Sequence, residues 1–97
     1  MSGMNTLKIE EWVYKLFYKS SVKKDVRDIL NNELQRITED IKSLKTDPLP
    51  IGVRKIKKGE LSFFRIRKGN YRIGYQINFL KKEIEILLIK RRNEETY

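Results

Sequence analysis

The hydrophobic period of this chain changes once, and the change falls at a pair of prolines. Upstream, apolar residues recur at Val22, Val26, Ile29, Leu30, Leu34, Ile37, Ile41 and Leu44. Spacings of three and four put one apolar stripe on a helix. Pro48 and Pro50 then interrupt, since neither can donate a backbone N–H and each pushes the residue before it extended. From Ile51 onward apolar and polar residues alternate with a period of two, as half-buried strands require. A chain that is helical first and strand-forming afterwards must bury the helical stripe on one sheet face. The expected fold is therefore α+β, with an N-terminal strand and helices packed on one face of a twisted antiparallel sheet.

Details follow from local chemistry. Residues 1–9 are expected to fray. Trp12–Tyr18 is rich in aromatics and reads as a first strand, with Trp12, Tyr14, Leu16 and Tyr18 on one side and Val13 and Phe17 on the other; a helix is the competing reading. Ser20 and Ser21 are N-cap candidates for what comes next. The apolar stripe permits one continuous helix from Ser21 to Leu44. It equally permits a helical hairpin broken at Asn31-Asn32, because Asn competes for backbone hydrogen bonds and favours caps. In the second half, Lys58-Gly59 marks a turn, and another is expected over Phe79–Lys82. The run Ile84–Ile89 is nearly all apolar in its latter part and reads as an interior strand.

The central hairpin carries the chemistry. Phe64–Lys68 and Tyr71–Tyr75 flank Gly69-Asn70, a two-residue turn signal. Phe64 and Ile66 share one face of the first strand with Tyr71, Ile73 and Tyr75 of the second, and Tyr71 and Tyr75 read as core. Arg65, Arg67 and Arg72 then converge on the opposite, exposed face beside Gly74, which forms a cationic floor with room for a ligand backbone. The plainer alternative is that Arg65 and Arg67 pair across strands with Glu83 or Glu85.

Charge is unevenly placed. The net charge is +9 over 97 residues, yet residues 51–92 hold 13 Lys or Arg against three Glu, while the remainder holds nine against ten Asp or Glu. A concentrated positive field attracts polyanions, nucleic acid first among them. One domain spanning residues 1–97 is expected. There is no apolar run long enough for a membrane span and no secretory pattern. The sequence has no His and no Cys. That removes the usual zinc ligands and any Ser-His or Cys-His nucleophile, so neither metal nor cofactor is expected.

The order of elements, with Asp47-Pro48, Val53–Gly59, the block Phe64–Tyr75 and the closing Ile89-Lys90-Arg91-Arg92 with Tyr97, resembles the RelE/ParE superfamily of toxins from toxin–antitoxin systems. The resemblance covers Trp12 to Tyr97 and is most specific in the hairpin. It implies a helical hairpin on a twisted sheet, a cognate antitoxin, and a cytoplasmic, ribosome-dependent mRNA endonuclease in which the RNA 2′-OH attacks without a metal. By position it implies catalytic roles for Arg65, Arg67 and Arg72 on the phosphate, Arg91 near the leaving oxygen, and Tyr97 in base stacking or 2′-OH deprotonation. Arg54, Lys55, Lys57, Lys58, Lys68, Lys90 and Arg92 are the accompanying candidates for RNA contact. A ParE-like gyrase poison and a non-catalytic RNA- or antitoxin-binding module are the alternatives on the same scaffold.

Overall fold

The computed structural model describes residues 13–92, in the order β1 (Lys15–Tyr18), α1 (Val22–Val26), α2 (Asn31–Ser43), β2 (Arg54–Lys58), β3 (Leu61–Lys68), β4 (Tyr71–Asn78) and β5 (Glu83–Arg91). The strands form one five-stranded sheet in the order β1-β5-β4-β3-β2. Strands β2 to β5 are antiparallel neighbours, as their short connections require. β1 instead runs parallel to β5, pairing Lys15 with Glu83 through Tyr18 with Ile86. The sheet is therefore mixed rather than wholly antiparallel. The reason is topological: β1 joins the sheet at the far edge from β2, with both helices in between.

The helical segment is broken over residues 27–30, directly before Asn31-Asn32, which open α2. α1 is only one turn and a half, and Leu30 is extended at ψ 146° before α2 begins. Ser21 occupies the N-cap of α1 without a side-chain capping bond. The Asn32 side-chain oxygen accepts from the Glu33 amide at 2.8 Å, so the asparagines serve the first turn of α2. The break also explains Leu30. A continuous helix would have placed it in the stripe, but it is 68% exposed while its neighbour Ile29 is buried.

The core lies between the helices and one sheet face. Val22, Ile29, Ile37, Ile41 and Leu44 meet Ile66, Tyr71, Ile73, Tyr75, Ile84, Ile86 and Ile89, with Tyr14 closing one end. Both core tyrosines find partners for their hydroxyls. Tyr75 donates to the Pro48 carbonyl at 2.7 Å and Tyr71 to Glu33 Oε2 at 3.0 Å. The expected first strand is shorter than its aromatic run. Tyr14 and Leu16 face the core, Tyr18 is half exposed, and Phe17 sits in the opposite row with Glu85. Trp12 lies outside the described residues.

Two features set where β4 and β5 point. Lys68 pairs with Tyr71 across Gly69-Asn70, and Gly69 alone takes a left-handed φ of 57°. Positive φ at the first of two turn residues is the type II′ arrangement, which suits Gly before Asn. The second feature is a bulge: Tyr75 pairs with Ile86 but Gly74 pairs with Leu88, leaving Leu87 without an opposite residue. A bulge of one residue reverses the alternation beyond it. Ile84 and Ile86 face the helices before the bulge, Ile89 and Arg91 after it, and Lys90 is turned to the other side.

Candidate active site on the arginine face

Facing residues on neighbouring strands share a sheet face. On the face away from the helices, Arg67, Arg72 and Lys90 form one row across β3, β4 and β5. The next row runs Arg54, Arg65, Gly74, Leu88. Arg92 follows β5, its amide donating to the Asn70 carbonyl at 2.8 Å and its guanidinium reaching the Gly69 carbonyl at 3.5 Å. The hairpin turn thereby pins Arg92 beside Arg67 and Arg72. Arg67, Asn70, Arg72, Arg91 and Arg92 line an open cleft of about 440 Å³ at this end of the sheet.

Within that arrangement the arginines differ. Arg67 is exposed, Arg72 half buried, and Arg65 buried at 9%. The Arg67 guanidinium is held below the usual arginine range, foremost by Arg65, then by desolvation and by Arg92, Arg72 and Arg54. Arginine remains protonated regardless. The shift records mutual repulsion of cations that an anion placed between them would relieve.

Gly74 does not provide space for a ligand, contrary to expectation. A Cβ built there would lie 2.9 Å from Leu88 Cγ and 3.2 Å from Phe63 Cε2. Phe63 and Leu88 cover the backbone, and the glycine is what lets them approach. Glu83 and Glu85 are equally misplaced as partners for Arg65 and Arg67. They pair with Asn78 and Gln76 at the other end of the sheet. That end holds a second concavity, with Phe17, Phe63, Gln76, Leu80 and Glu85 in its wall. The face is thus polarised, cationic at the hairpin and apolar with carboxylates at the far end.

Arg91 stands apart from the other cleft arginines. The bulge puts it in the row of Tyr71, on the helix side, with its guanidinium carbon 5.9 Å from the Tyr71 ring centre. It reaches the cleft from that side of the sheet. The RNA-contact candidates divide in the same way. Arg92 lines the cleft, and Arg54 adjoins Arg65. Lys58 shares the arginine face but lies beside Leu61 at the distant end, while Lys55, Lys57 and Lys68 lie in the rows of Phe64, Ser62 and Tyr71 on the helix side. Lys90 is in the arginine row, yet its ammonium pairs with Asp25 at 2.7 Å. Tyr97 lies outside the described residues.

Over 73 residues the chain is 36% identical to a Methanocaldococcus jannaschii protein that bears the name of a RelE1 toxin, spanning 73% of this chain and 81% of that protein. The chain belongs to the RelE toxin family. Solved RelE structures share its fold. The RelE–RelB complex of Pyrococcus horikoshii OT3 superposes with a TM-score of 0.72 at 29% identity, covering 86% of this chain and 99% of that one. The RelB–RelE complex of Methanococcus jannaschii gives 0.60 at 26%, covering 78% and 89%. No protein-family model matches the chain.

One site residue of this RelE-family toxin escaped sequence reasoning. Asp25 on α1 accepts the Ile89 amide at 3.0 Å in addition to pairing with Lys90. β1 ends opposite Ile86, so among the described residues the β5 edge beyond it has no strand neighbour, and Asp25 takes that place. The only sequence signal was an acid three residues after Val22 on a Lys-rich helix, adjacent to the apolar stripe. Chemically, the toxin's cleft offers permanently charged fork-shaped donors. Such groups bind phosphate in bidentate fashion and stabilise added negative charge on it, but they transfer protons poorly.

Proposed function

We propose that this toxin is a ribosome-dependent mRNA endonuclease whose reaction is carried by the arginine cleft. The observation that supports it is the convergence of Arg67, Arg72, Arg91 and Arg92 on one open cleft. In the reaction the RNA 2′-oxygen forms a bond to the adjacent phosphorus as its proton leaves to a base. The P–O5′ bond then breaks and the departing oxygen takes up a proton, which gives a 2′,3′-cyclic phosphate and a 5′-hydroxyl. No redox partner is required. Arg67 and Arg72 grip the non-bridging oxygens and stabilise the dianionic phosphorane between these states. Arg91, from the helix side, stands toward the leaving oxygen. Arg65, buried in the row next to Arg67, acts on the phosphate through its field more than by contact. Tyr97 is assigned to base stacking or 2′-OH deprotonation.

Solved RelE structures include complexes with RelB. By the same reasoning, a cognate antitoxin that presents carboxylates to the arginine face would hold this toxin inactive in the cytoplasm. No described helix is long and apolar enough to cross a membrane. The test is expression without antitoxin followed by mapping of mRNA 5′ ends against the reading frame. Cuts inside translated codons are expected. DNA breaks with intact mRNA would replace this reading with gyrase poisoning.

A further inference from the structure

Arg91 has a long, exposed side chain at the very end of β5, in the row that faces the helices rather than in the row of Arg67 and Arg72. Left to itself, such a side chain samples many rotamers, and ordering it on a ligand costs entropy. The structure supplies a shelf. The Tyr71 ring is 4% exposed and fixed in the core, and the Arg91 guanidinium carbon lies 5.9 Å from its centre, within cation–π range. The hydroxyl end of Tyr71 is held by a hydrogen bond that it donates to Glu33 Oε2 at 3.0 Å. The Glu33 backbone is held in the first turn of α2, where the Asn32 side chain accepts its amide at 2.8 Å.

We propose that Tyr71 and Glu33 are positioning residues that hold the Arg91 guanidinium at the mouth of the cleft, on the side opposite Arg67 and Arg72. The inference rests on the RNA-cleavage reading above and adds to it the device that places one of its cations. Two physical effects work together. A phenol that donates to a carboxylate has a more electron-rich ring, which attracts the cation more strongly. A guanidinium already drawn to that ring loses less freedom when it meets a phosphate. α2 thereby reaches the cleft through two side chains, Glu33 and Tyr71, without touching RNA itself.

The test is a double-substitution cycle read by RNA affinity, with an NMR readout of Arg91 alongside. Binding of a single-stranded RNA oligonucleotide is measured by anisotropy for wild type, Arg91→Ala, Tyr71→Leu and the double variant. Arg91→Ala is expected to weaken binding about fivefold in the wild-type background and less than about twofold in Tyr71→Leu. Equal factors in both backgrounds would overturn the proposal. Tyr71 is a core residue, so Glu33→Ala, at the partly exposed start of α2, serves if Tyr71→Leu does not fold. In that variant the ring-current shift of the Arg91 side-chain protons should shrink clearly from its wild-type value; an unchanged shift would sink the tether. This spectrum needs no RNA. A wild type that binds no free oligonucleotide would show that RNA contact needs the ribosome, and the spectrum then decides the placement of Arg91 by itself.

Discussion

Gly74 shows how much a single residue's meaning depends on its neighbours. In the sequence it stands between Arg72 and Tyr75 as an open place in a cationic row, and alternation correctly puts it on the face of the arginines. What covers it is set by Phe63 on β3 and Leu88 on β5, which meet above it only once three strands are in register. Gly74→Ala should destabilise the fold by about 1–3 kcal/mol through crowding, measurable by urea unfolding. Adding Leu88→Ala should recover part of that loss, since Leu88 is the nearest obstacle. Tyr75 makes the complementary case. Burial, with Asp47 adding, raises its phenol above the ordinary value near ~10. A raised folded-state pKa means that the fold favours the protonated form. Its contribution is complete below the unfolded value and is lost as pH rises beyond about 10. Tyr75→Phe should lose about 1 kcal/mol at neutral pH with the Pro48 hydrogen bond. It should also unfold less steeply with rising pH than the wild type, with Tyr18, raised by burial too, supplying some of the residual slope.

At the scale of elements, the antiparallel strands and the Gly69-Asn70 turn were legible because period-two alternation and turn chemistry are local. The helix-facing rows of β3 and β4 follow directly from that alternation. Three things were not local. The parallel pairing of β1 with β5 has no signature in Lys15–Tyr18, since a strand's residues do not encode its neighbour's direction. The bulge at Leu87 leaves no mark in the apolar run Ile84–Ile89, yet it decides that Arg91 faces the helices and Lys90 does not. The break between α1 and α2 was one of two readings that the stripe allowed, and Leu30 exposed beside buried Ile29 shows where packing placed it. Asp25 belongs here because it joins two elements, α1 and the strandless edge of β5. Asp25→Ala removes the acceptor of the Ile89 amide and should cost about 1–3 kcal/mol, read as a lower midpoint in urea. RNA affinity should hold in the same variant, because Asp25 does not line the arginine cleft. A stability loss accompanied by weakened RNA binding would instead make Asp25 necessary to the shape of the cleft.

The whole molecule divides labour between its two sheet faces. One is covered by α1 and α2 and holds the core; the other carries cations at the hairpin end and apolar and acidic groups at the far end. The sequence's excess of Lys and Arg after Ile51 is therefore not a uniform coat. Of the three residues read as one cationic floor, Arg67 and Arg72 reach the cleft and Arg65 lies buried in the next row, while Arg91 reaches the cleft from the other face. The family relationship was readable in the hairpin block, where strand alternation fixes which residues can share a face. The distribution of roles among the arginines was not, because it depends on the bulge, on Phe63 and Leu88, and on the Asp25 and Tyr71 contacts. The most direct measurement is the chemistry of the cut ends when purified toxin meets programmed ribosomes, for wild type and for Arg72→Ala. Phosphoryl transfer in the arginine cleft predicts 2′,3′-cyclic phosphate ends with the wild type. It also predicts a fall of about 10²–10³ in cleavage rate for Arg72→Ala, with an unchanged unfolding midpoint. Undiminished cleavage by that folded variant, or wild-type products that lack the cyclic phosphate, would contradict it.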